Sequence, residues 1–582
     1  MKEDSDAYWN KLKSLDYGLQ IAVSKFTGGI SPASLMIAFS DWYFHLLIQP
    51  SKQIELLQLH QNNMLHLIEQ YFGHLSGDAS GEYCAITTHK DKRFVGKSWQ
   101  KFPYTFYYES FLLLQSWWHN AAMNVHGVSN HHENVVDFTI RQFLDMLSPS
   151  NSIFTNPEVQ EATLEQKGEN FIRGMQNFLD DFERKVTKKS PVGSENFIVG
   201  KNVATSLGKV IYRNKLIELI QYEPCTKKVY PEPVLITPAW IMKYYILDLI
   251  PKHSLVKYLV DKGHTVFMIS WKNPTKKDED LSMENYLNLG IMSALNIIST
   301  IVSQQKIHLV GYCLGGTLAA IATATLVRDE DCRLASMTLL AAQTDFNDPG
   351  ELGLFIDESQ IAFLESMMKE KGYLDAYQMA GAFQLLRSND LIWSRLLHDY
   401  LLGVRKPLTD LMSWNADATR MPYKMHSEYL RKLFLHNELA EGQFLVEGQP
   451  IALTDISLPI FVVATERDHV SPWHSVFKIN LLTDSDLTFV LTSGGHNVGI
   501  VSMPTTSVKH QYRITTFKKG EHFIDADNWY IHTEPKEGSW WAAFEKWLAD
   551  HSSKKINPPE MGCKKEGIIP LESAPGSYVM QK

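Results

Sequence analysis

The sequence predicts an α/β protein: a mostly parallel, doubly wound sheet carrying a helical insertion and preceded by a mostly helical N-terminal domain. Three observations carry this. Residues 1 to about 190 hold helical segments and loops without a strand rhythm. From there, short apolar runs alternate with helix-length segments, the pattern of strands buried on both faces. Between about 345 and 450 that rhythm stops, and helical, aromatic-rich sequence fills the gap.

The elements follow in chain order. In the N-terminal part, Ser148-Pro149-Ser150-Asn151 and Thr155-Asn156-Pro157-Glu158 carry turn and helix-cap residues. The polar stretch 187–193, with Pro191 and Gly193, reads as the linker, which sets expected domains at 1–190 and 191–582. Segments 209–212 and 217–222 pair as an opening hairpin. Buried-type strands are expected at 233–237, 265–270, 307–310, 336–340, 459–464 and 487–491. The segment at about 345–450 is expected to form a cap over the site; extra helices packed on the sheet are the plainer alternative.

Bulk properties narrow the classes. The 582 residues are 44% apolar and 21% charged, enough for a large core. A net charge of −9, with no long basic block, argues against a nucleic-acid binder. Cys84, Cys225, Cys313, Cys332 and Cys563 lack CxxC spacing and are odd in number, which fits free thiols in a reducing compartment. The acidic start shows no apolar secretory run. The apolar stretch 34–48 is interrupted by Asp41 and His45, too short and polar to span a bilayer. It reads as a core or interfacial helix, and the expected location is the cytoplasm.

The sharpest local signal is Gly311-Tyr312-Cys313-Leu314-Gly315-Gly316, set between the strand 306–310 and the small-residue helix 317–324. Strand, G-x-nucleophile-x-G and helix make the nucleophile elbow of the α/β-hydrolase fold, here with cysteine for serine. The bend strains the nucleophile's backbone, so residues two either side must be tiny. It also sets Cys313 at a helix N-terminus, whose partial positive charge favours thiolate. A buried structural cysteine beside chance glycines is the plain alternative.

A thiol nucleophile needs a base, and the base an orienting acid, in the chain order nucleophile, acid, histidine. The strand 461–464 runs into Asp468 and the strand 487–491 into His496, so both lie past C-terminal strand ends, where sites of open α/β sheets form. Asp468 is the expected acid and His496 the expected base. His469 and His474 share the acid's loop and read as supporting. His119, His126, His131 and His132 cluster near Glu133 at irregular spacing, which argues against zinc. For an oxyanion, the expected donors are the N–H groups of Leu314 and Ile241, the latter in the loop 237–241 after the first parallel strand.

Motifs spread over most of the chain resemble class I, single-subunit polyhydroxyalkanoate synthases. Besides the 311–316 box they are "SPSN…TNPE" within 143–158, 243–249, Ser270-Trp271-Lys272-Asn273-Pro274, 344–353, Trp414-Asn415-Ala416-Asp417, Asp468-His469-Val470-Ser471-Pro472-Trp473, Ser493-Gly494-Gly495-His496, Gly538-Ser539-Trp540-Trp541 and 574–579. The resemblance puts the family's nucleophile, acid and histidine on Cys313, Asp468 and His496. Trp240, Tyr312, Asp248, Trp414, Asp417 and His469 are the candidates for binding substrate. Two departures stand out: Met242 where the family usually has Asn, and Asn497-Val498 where it has a small apolar pair.

The resemblance implies polymerisation of short-chain (R)-3-hydroxyacyl-CoA into polyester through an acyl-cysteine, with CoA released and no separate cofactor or metal. It also implies a homodimer working at the surface of the growing polyester granule. The alternatives are an acyl-CoA thioesterase or polyester depolymerase using the same three residues, and a non-catalytic granule-surface protein.

Overall fold

The computed structural model describes residues 2–76, 91–376, 378, 381, 387–504 and 510–582; Cys84 lies outside them. They form two compact units, one of Met1–Ala22, Gly193–Met379 and Leu408–Lys582, the other of Val23–Val192 and Ala380–Pro407. This division differs from the expected boundary at about 190: residues 1–22 group with the sheet and 380–407 with the helical segments. Long-range polar contacts accompany the grouping. The Asn170 and Asn177 amides donate to the carbonyls of Leu401 and Asp399, both at 2.8 Å, and Arg405 pairs with Asp180 at 3.1 Å. At the other end, Lys369 Nζ donates to the Tyr17 hydroxyl at 3.1 Å and lies over its ring.

The larger unit is an α/β-hydrolase fold built on an eleven-stranded sheet. Its strands are β1 (Gly208–Arg213), β2 (Ile217–Tyr222), β3 (Val234–Thr237), β4 (Val266–Trp271), β5 (Ile307–Tyr312), β6 (Leu334–Leu340), β7 (Ile460–Thr465), β8 (Leu487–Thr492), β9 (Gln511–Phe517), β10 (Lys536–Glu537) and β11 (Glu572–Ser573). Their spatial order is β10-β9-β8-β7-β6-β5-β3-β4-β2-β1-β11. Pairing is parallel from β4 through β3, β5, β6 and β7 to β8, and antiparallel outside that block. Every residue of β3, β4, β5, β7 and β8 is buried, as continuous Val/Ile/Leu/Phe runs require of strands covered on both faces. The hairpin β1–β2 forms as expected, with the Asn214 carboxamide oxygen accepting the Leu216 and Ile217 N–H groups at its turn. Sequence reading missed β9, whose residues are mostly half-buried and show no clean alternation.

The helix Leu314–Arg328 is buried from Leu314 to Leu326. Its Gly, Ala and Thr side chains let it lie close on β5 and β6. Between β6 and β7 the same unit holds the helices Glu358–Lys371, Asp410–Asn415 and Tyr423–Glu428, then a π-helical stretch Tyr429–Leu435.

The smaller unit contains α2 (Pro32–Leu47), α3 (Pro50–Ser76), α4 (Tyr104–Ala122), α5 (Asn130–Met146), α6 (Pro157–Glu165) and α7 (Glu169–Val186); α1 (Lys2–Thr27) precedes them. Starts follow the cap rules: the Asn156 side chain accepts the N–H groups of Glu158 and Val159, with Pro157 in the first turn of α6. Phe94, Trp99, Tyr108, Phe111 and Leu144 form its core cluster. Among the described residues no single helix is long and apolar enough to cross a membrane, although the bent pair Leu15–Thr27 and Pro32–Leu47 meets those criteria jointly.

Candidate active site

Cys313 sits on the bend between β5 and the helix Leu314–Arg328 with φ 52° and ψ −124°. A non-glycine residue there carries roughly 1–3 kcal/mol of strain, which the surroundings must hold. They do so from three sides. The Cys313 N–H donates to Leu340 O at 2.9 Å, and its carbonyl accepts from Gly316 N at 2.8 Å and Thr317 N at 3.2 Å. A Cβ at Gly311 would overlap the Gly316 backbone, one at Gly315 the carbonyls of Thr237 and Pro238, and one at Gly316 the Ala342 methyl. The glycines are therefore demanded by backbone contact.

His496 follows β8, and Asp468 follows the neighbouring parallel strand β7. Gly494, at φ 113°, turns the loop so that its carbonyl accepts the Arg467 N–H at 2.8 Å, locking the two loops together. The histidine loop is held from behind by the 538–541 motif: the Trp540 and Trp541 indoles donate to Gly499 O and Ile500 O at 3.0 and 2.9 Å. His496 Nδ1 lies 2.8 Å from Asp468 Oδ2. That leaves Nε2 for Cys313, whose charge acts on the ring. The three residues chosen from sequence are thus brought into one chain of contacts.

Electrostatics match this geometry. Burial alone would push the His496 imidazole down, but Asp468 and Cys313, by charge and by hydrogen bond, hold it well above the usual histidine value. Burial raises the Asp468 carboxyl, and His496 together with the Val470 and Ser471 N–H groups (2.9 and 2.8 Å) outweighs it, so the carboxyl is held below its usual range. Thr465 Oγ1 donates to Asp468 Oδ2, the oxygen that also faces His496, at 3.0 Å.

The loop after β3 packs its Thr237 and Pro238 carbonyls against Gly315, next to the nucleophile. Leu314 N–H is at the first helical position, where no intrahelical acceptor exists. Ile241 lies farther along the β3 loop, and a segment of the insertion stitches that loop in place. Thr419 N donates to Ile241 O at 3.1 Å and Thr419 Oγ1 to Trp240 O at 2.5 Å, while Trp414 Nε1 donates to Lys243 O at 2.7 Å. The Tyr245 hydroxyl donates to Asp417 at 3.0 Å. Trp414 and Asp417 therefore buttress the Ile241 loop. Burial raises the Asp417 carboxyl, with Lys243 opposing.

The other substrate candidates fall in different places. Trp240 is buried against Trp271 and Tyr286. Asp248 is buried and accepts from the Ser206 and Ser254 hydroxyls at 2.6 and 2.7 Å. His469 is exposed on the acid's loop, and His474 pairs with Asp527 at 3.0 Å. Tyr312 is buried, its ring 5.7 Å from that of His496 and its hydroxyl donating to Asn497 at 2.5 Å. In the helical unit, His119 pairs with Asp137 and His132 with Asp41; among the described residues no group of three or more potential metal ligands forms. Sequence reasoning missed Thr419, Thr465 and Tyr429. The buried Tyr429 phenol is pushed well up by burial and then by the Cys313 charge, and the π-helical stretch it opens has no sequence signature.

Residues 90–259 match the family model described as the N-terminus of poly-beta-hydroxybutyrate polymerase, residues 10–52 that of the polymerase N terminal, and residues 232–502 the alpha/beta hydrolase fold. A poly(3-hydroxyalkanoate) polymerase of Methylorubrum extorquens is 38% identical over 84% of this chain and 81% of its own length. The corresponding polymerase subunit of Rhizobium meliloti is 36% identical over 88% and 84%, and that of Cupriavidus necator 33% over 87% and 85%. With the fold, the strained cysteine and these relatives in agreement, the chain belongs to the poly(3-hydroxyalkanoate) polymerase family.

Proposed function

We propose that this protein polymerises (R)-3-hydroxyacyl-CoA, of short chain such as 3-hydroxybutyryl-CoA, into polyester through an acyl-Cys313 intermediate. His496 Nε2 takes the Cys313 proton, and the thiolate attacks the thioester carbonyl. The tetrahedral oxyanion is held by the N–H groups of Leu314 and Ile241. It collapses with release of CoA, which carries away the proton from His496. The 3-hydroxyl of a second acyl unit then gives its proton to His496 and attacks the acyl-cysteine, forming the ester and freeing the thiolate. Exchange between two thioesters is nearly thermoneutral, so cysteine suits the loading step. Water must be kept out, since hydrolysis would end a chain, and the insertion segment around Trp414 and Asp417 serves as the shield. No metal or separate cofactor enters; CoA arrives and leaves with the substrate. In this reading the enzyme is a cytoplasmic homodimer of the class I type at the polyester granule surface.

The observation that carries the reading is His496, held by Asp468 at 2.8 Å and raised by the charge of a strained, buried cysteine, in a chain of this family. The test is Cys313→Ala incubated with 3-hydroxybutyryl-CoA, reading CoA release and insoluble polyester together. Both should vanish. Polymer formed without Cys313 overturns the assignment, and wild-type carbon ending as soluble hydroxy acid makes the protein a thioesterase instead.

A further inference from the structure

We infer that Asn497, the residue after His496, is a positioning residue that anchors Tyr312 beside the imidazole and ties that wall to the insertion segment. Its carboxamide is used on both sides. The oxygen accepts the Tyr312 hydroxyl at 2.5 Å, and the amide donates to Asn415 Oδ1 at 3.3 Å. Tyr312 ends β5 directly before the nucleophile, and Asn415 ends the helix Asp410–Asn415 directly after Trp414. One half-buried side chain therefore joins the nucleophile strand, the histidine loop and the segment that holds the Ile241 loop.

The physical need is local. The Tyr312 phenol is buried, so its proton must find an acceptor. The groups nearest in charge are Cys313 and Asp468, both already engaged with His496. Asn497 supplies a neutral acceptor that leaves those two free. Without it the phenol is unsatisfied beside the reacting pair, and the ring loses what pins it against His496.

The inference rests on the acyl-transfer reading only for turnover, so the test has one arm that needs no acyl substrate. Asn497→Ala, Tyr312→Phe and the double variant are compared with wild type for alkylation of Cys313 by iodoacetamide at pH 7, and for kcat and KM of CoA release. The loss of Asn497 is expected to slow alkylation and kcat about fivefold, the worth of one such hydrogen bond, with KM changed less than twofold. In the Tyr312→Phe background its further cost should be smaller than in wild type, since only the tie to Asn415 is then left to lose. Wild-type alkylation in Asn497→Ala, or losses that add in the double variant, overturns the inference. If alkylation slows as stated but wild-type product is soluble acid, the positioning role stands and the polymerase reading falls.

Discussion

Asp468 and His496 end adjacent parallel strands, and their side chains meet at 2.8 Å with the carboxylate fully covered. Because Asp468 accepts two backbone N–H groups and a threonine hydroxyl besides the imidazole, its orientation is set before substrate arrives. The imidazole is thereby held by its Nδ1, which leaves Nε2 for the sulfur.

Asp468→Asn keeps the shape and removes the charge. An amide can present its NH2 to Nδ1 and trap the wrong tautomer, and the charge that raises His496 is gone. We expect kcat for CoA release to fall by about 10²-fold or more, with a folded protein by circular dichroism. A loss under threefold rules out this orienting role.

The raised His496 value has a consequence for stability. Its folded value stands above the ordinary 6.5, so its protonated form contributes stability that is complete below about that pH and fades as pH rises through the folded value. Asp468, held below its usual 3.8, contributes in the other direction: its stability is present above that pH and is lost as pH falls through the folded value. Urea unfolding of wild type against His496→Gln should give the largest wild-type advantage near pH 6 and a smaller one at alkaline pH. An advantage that grows with pH reverses the assigned sign.

Much of the site was legible because strand ends are set by apolar runs and the parallel order puts those ends together. Cys313, Asp468 and His496 each follow such a run. What was not legible depends on contacts between distant segments. Thr419 holds the Trp240 carbonyl from 179 residues away, and nothing in its neighbours marks it. The partners of Asp248 were no more legible: it accepts the hydroxyls of Ser206 and Ser254, and its motif does not announce either. The grouping of 380–407 with the helical unit is likewise accompanied by ion pairs to α7 that no local pattern encodes.

The elbow glycines should tolerate no side chain. In Gly315→Ala the new methyl meets the carbonyls of Thr237 and Pro238, which are backbone and cannot rotate away. Relief requires moving either the helix start or the Ile241 loop. The expected result is a loss of at least about 1–3 kcal/mol of stability, or a protein that folds with the loop displaced and turns over poorly. Near-wild-type stability and kcat in Gly315→Ala would show that the loop is not packed on the helix as described.

The Ile241 loop can be loosened without touching the reacting groups. Thr419→Val preserves the bulk of the side chain and removes only the hydroxyl that donates to Trp240 O; the Thr419 N–H bond to Ile241 O remains. Thr419 is buried, so the Trp240 carbonyl has no ready replacement donor, and about 1–3 kcal/mol is at stake. If the Ile241 N–H serves the oxyanion, this disturbance reaches the transition state more than the bound substrate. We expect kcat to fall about five- to tenfold, KM to stay within about twofold, and alkylation of Cys313 by iodoacetamide, which develops no oxyanion, to proceed at the wild-type rate. Slowed alkylation in Thr419→Val would instead mean that the loop supports the cysteine itself, and the second oxyanion donor would have to be sought elsewhere.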